Sequence, residues 1–205
     1  MALELRLLRV ENMVAPIALL AERPRFSWQL VSDMRGTKQS AYHIVVTAGG
    51  EVVWDTGHVE SEETINIRYS GSSLAPLTRY DWTVTVWDNQ NNSTMEHSWW
   101  ETSREGLPWQ AKWVEPEQEP TPISADESDL EESLREAHVR NWHDFKPPQF
   151  LRLVLPIKSG LLRARLFVSA HGIYRLELNG ARVDDREFAP EITPYDHMLQ
   201  YQTYD

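Results

Sequence analysis

Cysteine is missing altogether. Its absence removes disulfides, thiol catalysis and thiolate metal sites together, and it fits a reducing compartment. Basic residues are scarce as well: 20 Lys and Arg stand against 31 Asp and Glu, a formal net charge of -11. A phosphate backbone is repelled by that balance and no basic stripe interrupts it, which argues against nucleic acid as a partner. Long apolar runs are also absent near the start, where the run from Met13 to Ala21 is broken by Pro16. That run is too short for a membrane span and lacks a basic leader region and a cleavage site, so a cytoplasmic protein with no membrane partner is expected. No Gly-x-Ser-x-Gly occurs, and Gly49-Gly50 is followed by no Lys-Ser or Lys-Thr, which leaves neither a nucleophile elbow nor a phosphate cradle.

What is present is a large store of core-forming side chains. Apolar residues make up 41% of the 205, with nine Trp and five Phe, so the chain can fill real cores at a length where two domains are the default. Strand alternation recurs through the first hundred residues, whereas helical periodicity is scarce there. Its clearest instance is residues 79–88, where Tyr80, Trp82, Val84 and Val86 share one face and Asp81, Thr83, Thr85 and Trp87 the other. An antiparallel strand with one buried face has this pattern. Weaker strand signals lie at 3–10, 25–31, 41–48, 52–55, 64–69 and 96–102, separated by Gly, Asn and Ser clusters. Seven short strands over about a hundred positions indicate a β-sandwich.

The stretch Leu74-Ala75-Pro76-Leu77-Thr78-Arg79-Tyr80 sharpens that reading. A Tyr opening the penultimate strand of a sandwich turns its hydroxyl back to upstream backbone and pins the corner, and Pro76 helps fix the incoming loop. The blander alternative is a buried Tyr on any strand. The lack of a Cys pair excludes an immunoglobulin domain that relies on its disulfide, so a fibronectin type III-like module is expected over 1–108.

Residues 109–149 read as a connecting strand and an acidic, Pro-containing linker or insertion, with a short helix over 128–139 capped by Ser128. Its charge run is a solvated face before it is a partner site. Strand signals return at 150–156, 162–170 and 173–178. Asn179-Gly180 then gives a hairpin turn, because both turn positions need positive φ, and the returning strand starts at Ala181. The expected fold is all-β: a fibronectin type III or immunoglobulin-like sandwich, then an incomplete second sandwich of jelly-roll type over 150–205. A jelly roll needs about eight strands. This stretch holds four or five, so its apolar face and strand edges are expected to exchange amide hydrogens quickly or to self-associate.

These motifs together resemble a known family. Pro24-Arg25-Phe26-Ser27-Trp28, Gln39-Ser40-Ala41-Tyr42, Val53-Trp54-Asp55-Thr56-Gly57, Tyr80-Asp81-Trp82-Thr83-Val84 and Trp109-Gln110-Ala111-Lys112-Trp113 carry the first part of the resemblance. Ala164-Arg165-Leu166-Phe167-Val168, Gly172-Ile173-Tyr174, Leu178-Asn179-Gly180-Ala181-Arg182-Val183, Ala189-Pro190 and Tyr201-Gln202-Thr203-Tyr204-Asp205 carry the rest. In order and spacing the chain resembles the N-terminal region of the bacterial α-L-rhamnosidases, glycoside hydrolase family 78. The resemblance implies a fibronectin-type module, then the start of a second β-sandwich, with a catalytic α-helical barrel only much later. It therefore implies a chain truncated before that barrel, a non-catalytic accessory region whose partner is the missing C-terminal catalytic domain of the same polypeptide. The full enzyme would hydrolyse terminal α-L-rhamnosides with inversion. An independent carbohydrate-binding module and a protein-interaction module stand as the alternatives.

An inverting glycosidase needs two carboxyl groups about 6.5–9.5 Å apart across the scissile bond. The acidic clusters here are Glu62-Glu63, Asp126-Glu127, Glu131-Glu132 and Asp184-Asp185 with Glu187, all in turns, in the linker or just after a hairpin strand. Such contexts offer no burial to raise an acid's pKa, so no catalytic residue is assigned. His138 and His143 lie five apart without a third ligand, and neither a metal nor a cofactor is expected. Trp87, and one of the adjacent Trp99 and Trp100, should face away from the core. They are candidates for a carbohydrate contact, with rhamnose-containing glycosides as ligand, or for a contact with the next module, which is the favoured reading.

Overall fold

In the computed structural model, residues 3–115, 117 and 148–205 are described. The expected helix over 128–139, the His138 and His143 pair and the two linker acidic clusters lie outside the described residues.

Alternation decides the architecture. Strand β7 (Arg79–Asp88) buries Tyr80, Trp82, Val84 and Val86 and turns the residues between them outward. It sits in a five-stranded antiparallel sheet with β3 (Gln39–Ala48), β4 (Glu51–Asp55), β5 (Val59–Glu60) and β8 (Ser93–Glu101); the order is β4-β3-β7-β8, with β5 also on β3. A second sheet of β1 (Leu3–Val10), β2 (Arg25–Ser32) and β6 (Ile67–Arg68) runs in the order β1-β2-β6. Leu5, Val10, Phe26, Trp28 and Ile67 of this sheet pack with Tyr42, Ile44, Val46, Trp82, Val84 and Trp100 of the other in one buried cluster. Two antiparallel sheets sharing one core are a sandwich of immunoglobulin type.

Rings make the inter-sheet joint. Phe26 lies 4.7 Å from Trp82, 5.4 Å from Trp100 and 5.7 Å from Trp54 between centroids. One buried polar bridge accompanies them: the Trp28 indole N–H donates to Gln39 Oε1 at 2.9 Å, and the Gln39 amide donates to the carbonyls of Ser61 and Glu63. Gln39 is thus buried with its amide satisfied, as an interior polar group must be.

The apolar run after β1 closes the sandwich edge. Pro16 cannot donate to a ladder, but its carbonyl accepts from Glu101 N–H at 2.9 Å. Leu19 N–H then donates to the Glu101 carbonyl at 2.8 Å, and Ser103 N–H to the Leu19 carbonyl at 3.0 Å. Leu19 and Thr102 form a parallel bridge, so this segment lies alongside the end of β8.

The remaining strands are short. β9 (Leu166–Val168) pairs antiparallel with β12 (Gln202–Tyr204), and β10 (Glu177–Leu178) pairs with β11 (Ala181–Arg182). By its contacts the chain divides into one compact unit of residues 1–108 with 165–205, and another of residues 109–164. The expected strand at 150–156 is not formed: Phe150 is 99% exposed and Leu153 77%. Alternation alone cannot make a strand, since backbone N–H and C=O groups need a neighbouring ladder, and none pairs with this stretch among the described residues. β5 was not expected; at two residues it is too short to show periodicity.

Because Phe26 is fully buried among three indoles, Phe26→Ala should cost about 3–5 kcal/mol of stability. Denaturant unfolding followed by tryptophan fluorescence checks this; a loss well below that range would show that the rings do not form the joint.

Candidate functional site

Three places bear on function: the outward face of the five-stranded sheet, the corner at the start of β7, and the junction at the end of β8.

The outward face carries the predicted tryptophans. Tyr80 is paired with Trp100 and Asp81 with Trp99 in the β7–β8 register. Trp100 therefore follows Tyr80 into the core, where it is fully buried and stacks on the Tyr80 ring at 5.0 Å and 16°. That position corrects the candidate set: the Trp100 ring is closed to any ligand or neighbouring module. Trp99 is half-buried, with the Arg79 guanidinium 4.4 Å from its ring and Arg79 also paired to Asp81. Trp87 is half-buried at the other end of the strand, edge-on to His58 at 4.5 Å. Between them the face presents Thr83 and Thr85, with His43 bonded to Asp55 at 2.7 Å on the neighbouring strands.

At the corner, Ala75 N–H donates to the Tyr80 hydroxyl at 2.8 Å. Thr102 completes the corner: its hydroxyl donates to the Ala75 carbonyl at 2.6 Å and accepts from Thr78 N–H at 3.0 Å. Pro76 is exposed in the incoming loop. A cleft of about 480 Å³ opens beside the corner, with Leu20, Arg23, Tyr69, Ser72, Leu74 and Ser103 in its wall. Gly71 is required there on steric grounds, since a Cβ would meet Trp54 Cβ and the Tyr69 hydroxyl at 2.6 Å each.

At the junction, β8 ends on Glu101, whose side chain is 3% exposed. Arg165 Nε and one terminal nitrogen donate to its two carboxylate oxygens, each at 3.0 Å, and a further Arg165 nitrogen pairs with Asp205. Beyond Arg165, the Tyr174 and Tyr204 hydroxyls share a hydrogen bond of 2.9 Å. Asn179 and Gly180 turn β10 into β11 with φ of 53° and 82°, both positive as a two-residue hairpin of this kind requires. Sequence reasoning missed the Glu101–Arg165 pair, because no periodicity or motif links residues 64 positions apart.

The carboxyl groups show what this surface can do chemically. Glu62 and Glu63 are exposed, Asp184 pairs with Arg186 at 2.6 Å, Glu187 pairs with Arg182 at 2.8 Å, and Asp185 is exposed. Among the described residues, the carboxyls that the fold clearly perturbs all move downward. Glu11 is lowered first by hydrogen bonding from Arg25, Asp55 by the Gly57 N–H and then His43, and Asp88 by the Asn92 side chain. A general acid needs the opposite shift. Among the described residues, no group of three or more His, Asp or Glu gathers into a metal site.

Comparison with known proteins extends this picture. Residues 5–105 match the family model of the Rha78A-like, N-terminal immunoglobulin domain, and residues 159–205 that of the Alpha-L-rhamnosidase N-terminal domain. An Alpha-L-rhamnosidase of Streptomyces avermitilis is 34% identical over 186 residues, which cover 85% of this chain and 18% of that protein. One of Alteromonas sp. is 27% identical over 209 residues, covering 95% and 21% respectively. Among solved structures, the alpha-L-rhamnosidase from Dictyoglumus thermophilum aligns with a TM-score of 0.70 at 27% identity, over 97% of this chain and 22% of that one. The Streptomyces avermitilis enzyme complexed with L-rhamnose aligns at 0.53 and 37% identity, over 59% and 13%. The chain spans about a fifth of the length of the curated relatives it matches.

Two outcomes follow from this geometry. Tyr80→Phe leaves the Ala75 N–H without its acceptor and should cost about 1–3 kcal/mol; an unchanged melting temperature would remove the corner role. With Glu11 and Asp88 lowered in the folded state, the unfolded chain takes up protons first as pH falls through the ordinary carboxylate range near about pH 4. Their stabilisation is complete above that range and is lost below it as the folded groups titrate. Glu11→Gln and Asp88→Asn should each flatten the acid side of a stability-against-pH curve, and an unaltered slope in both would contradict the assignment.

Proposed function

We propose, from the chain's homology to the N-terminal region of the α-L-rhamnosidases, that it is a non-catalytic accessory region of a rhamnoside-hydrolysing enzyme. In this reading the enzyme releases terminal α-L-rhamnose with inversion. The region described here supports and positions the catalytic part of the same polypeptide.

The observation that carries the non-catalytic reading is the state of the carboxyl groups. Glycoside hydrolysis of this kind calls for one carboxylic acid held protonated and a second carboxylate facing it across the sugar. The acidic clusters at Glu62-Glu63 and Asp184-Asp185 are exposed or tied to cations, and Glu11, Asp55 and Asp88 are driven toward ionisation. The half-buried Trp87 and Trp99 favour a contact role on the outward face. Trp99 is already engaged by Arg79, and aromatic surface of that kind suits packing against a neighbouring module.

The chain of 205 residues should leave aryl α-L-rhamnosides unhydrolysed beyond the uncatalysed rate. Release of the aryl group that disappears when Asp184 and Asp185 are both changed to Asn would overturn the non-catalytic assignment.

A further inference from the structure

Glu101 occupies a firmly held backbone position at the end of β8. Its backbone pairs with Arg79 in the β7–β8 ladder, its N–H donates to the Pro16 carbonyl, and its own carbonyl accepts from Leu19 N–H. The backbone that carries the carboxylate is thus fixed before any partner arrives. Residues 165–205, by contrast, have little means of holding themselves. Their strands are two or three residues long, and their buried side chains are Ala189, Pro190, Thr203 and Tyr204. Burial on that scale falls short of the chain entropy lost on ordering some forty residues.

Arg165 stands where these two facts meet. It precedes β9, Asp205 follows β12, and Tyr204 pairs with Leu166, so Arg165 and Asp205 sit at the same open end of the β9–β12 ladder. One guanidinium therefore ties both strands of that ladder to each other and, through two bonds of 3.0 Å, to β8. Its side chain is 10% exposed. A planar fork facing a carboxylate fixes direction as well as distance, which a point charge cannot do. Arg104, with its guanidinium 5.7 Å from the Phe167 ring, adds a weaker contact on the same side.

We propose that Arg165 is a positioning residue through which the immunoglobulin-like sandwich imposes order on residues 165–205. That segment takes its fold as a dependent of the sandwich, and the orientation of the β9–β12 ladder is set by the Glu101 carboxylate. The inference concerns this chain alone, so it stands or falls independently of the accessory role in a rhamnosidase.

Hydrogen exchange read by mass spectrometry on the 205-residue chain tests it. In Arg165→Met, amides of β9 and β12 should lose about tenfold or more of their protection, because the two bonds that tie the ladder to β8 are gone, while β3 and β7 keep theirs. Glu101→Gln combined with Arg165→Met should be less damaging than Arg165→Met alone, the signature of a coupled pair. Arg165→Lys retains charge without the fork and should fall between wild type and Arg165→Met; it also serves if Arg165→Met does not fold. Unchanged protection of β9 and β12 in both Arg165 variants would overturn the proposal. So would equal loss in all strands, which would make Arg165 a general stability residue.

Discussion

The structure depends on one ring. Phe26 comes from the three-stranded sheet and touches Trp82 and Trp100 of the other sheet, with Trp54 beside them. In disulfide-bonded immunoglobulin domains a covalent bridge ties the sheets at mid-height beside a tryptophan. This chain has no Cys, and aromatic packing makes the tie instead. Tilted and edge-on ring pairs add stabilisation beyond their buried area, but their geometry is softer than that of a covalent bond. The sheet spacing is therefore set by the volumes of a few large side chains. Trp82 and Trp100 also keep buried indole N–H groups without a hydrogen-bond partner among the described residues, a cost the cluster carries for the sake of ring size.

From that joint outward, each element of the sandwich inherits its position. β7 and β8 are in register because Tyr80 faces Trp100, and that pairing places Glu101 at the rim. The corner, the edge-closing segment and Arg165 all converge on the three residues Glu101, Thr102 and Ser103, which are buried although polar. The end of the last long strand is where the later segment at Arg165 attaches.

Much of this was legible in the residues. β7 could be read because a half-buried antiparallel strand writes its burial into every second position, and Asn179-Gly180 because left-handed backbone at two consecutive positions has few other solutions. The adjacency of Trp99 and Trp100 showed that one ring must point out; only the pairing register showed which. The stretch 150–156 misled because alternation records what a strand would bury and not whether a neighbouring strand is there. The Glu101–Arg165 pair was invisible for a related reason: it joins two segments whose local patterns are complete without it. Candidate contact residues on strands could be found in the sequence, and the charge pair at the junction could not.

The parallel run of residues 16–19 along the end of β8 has a mechanical consequence. Tension that draws the N-terminal segment and the end of β8 apart acts along the strands in opposite directions. The bonds from Glu101 N–H, Leu19 N–H and Ser103 N–H are then loaded in shear and must yield together. An antiparallel hairpin pulled at its open end would release its bonds one by one. Against tension in that direction the three bonds act as a group.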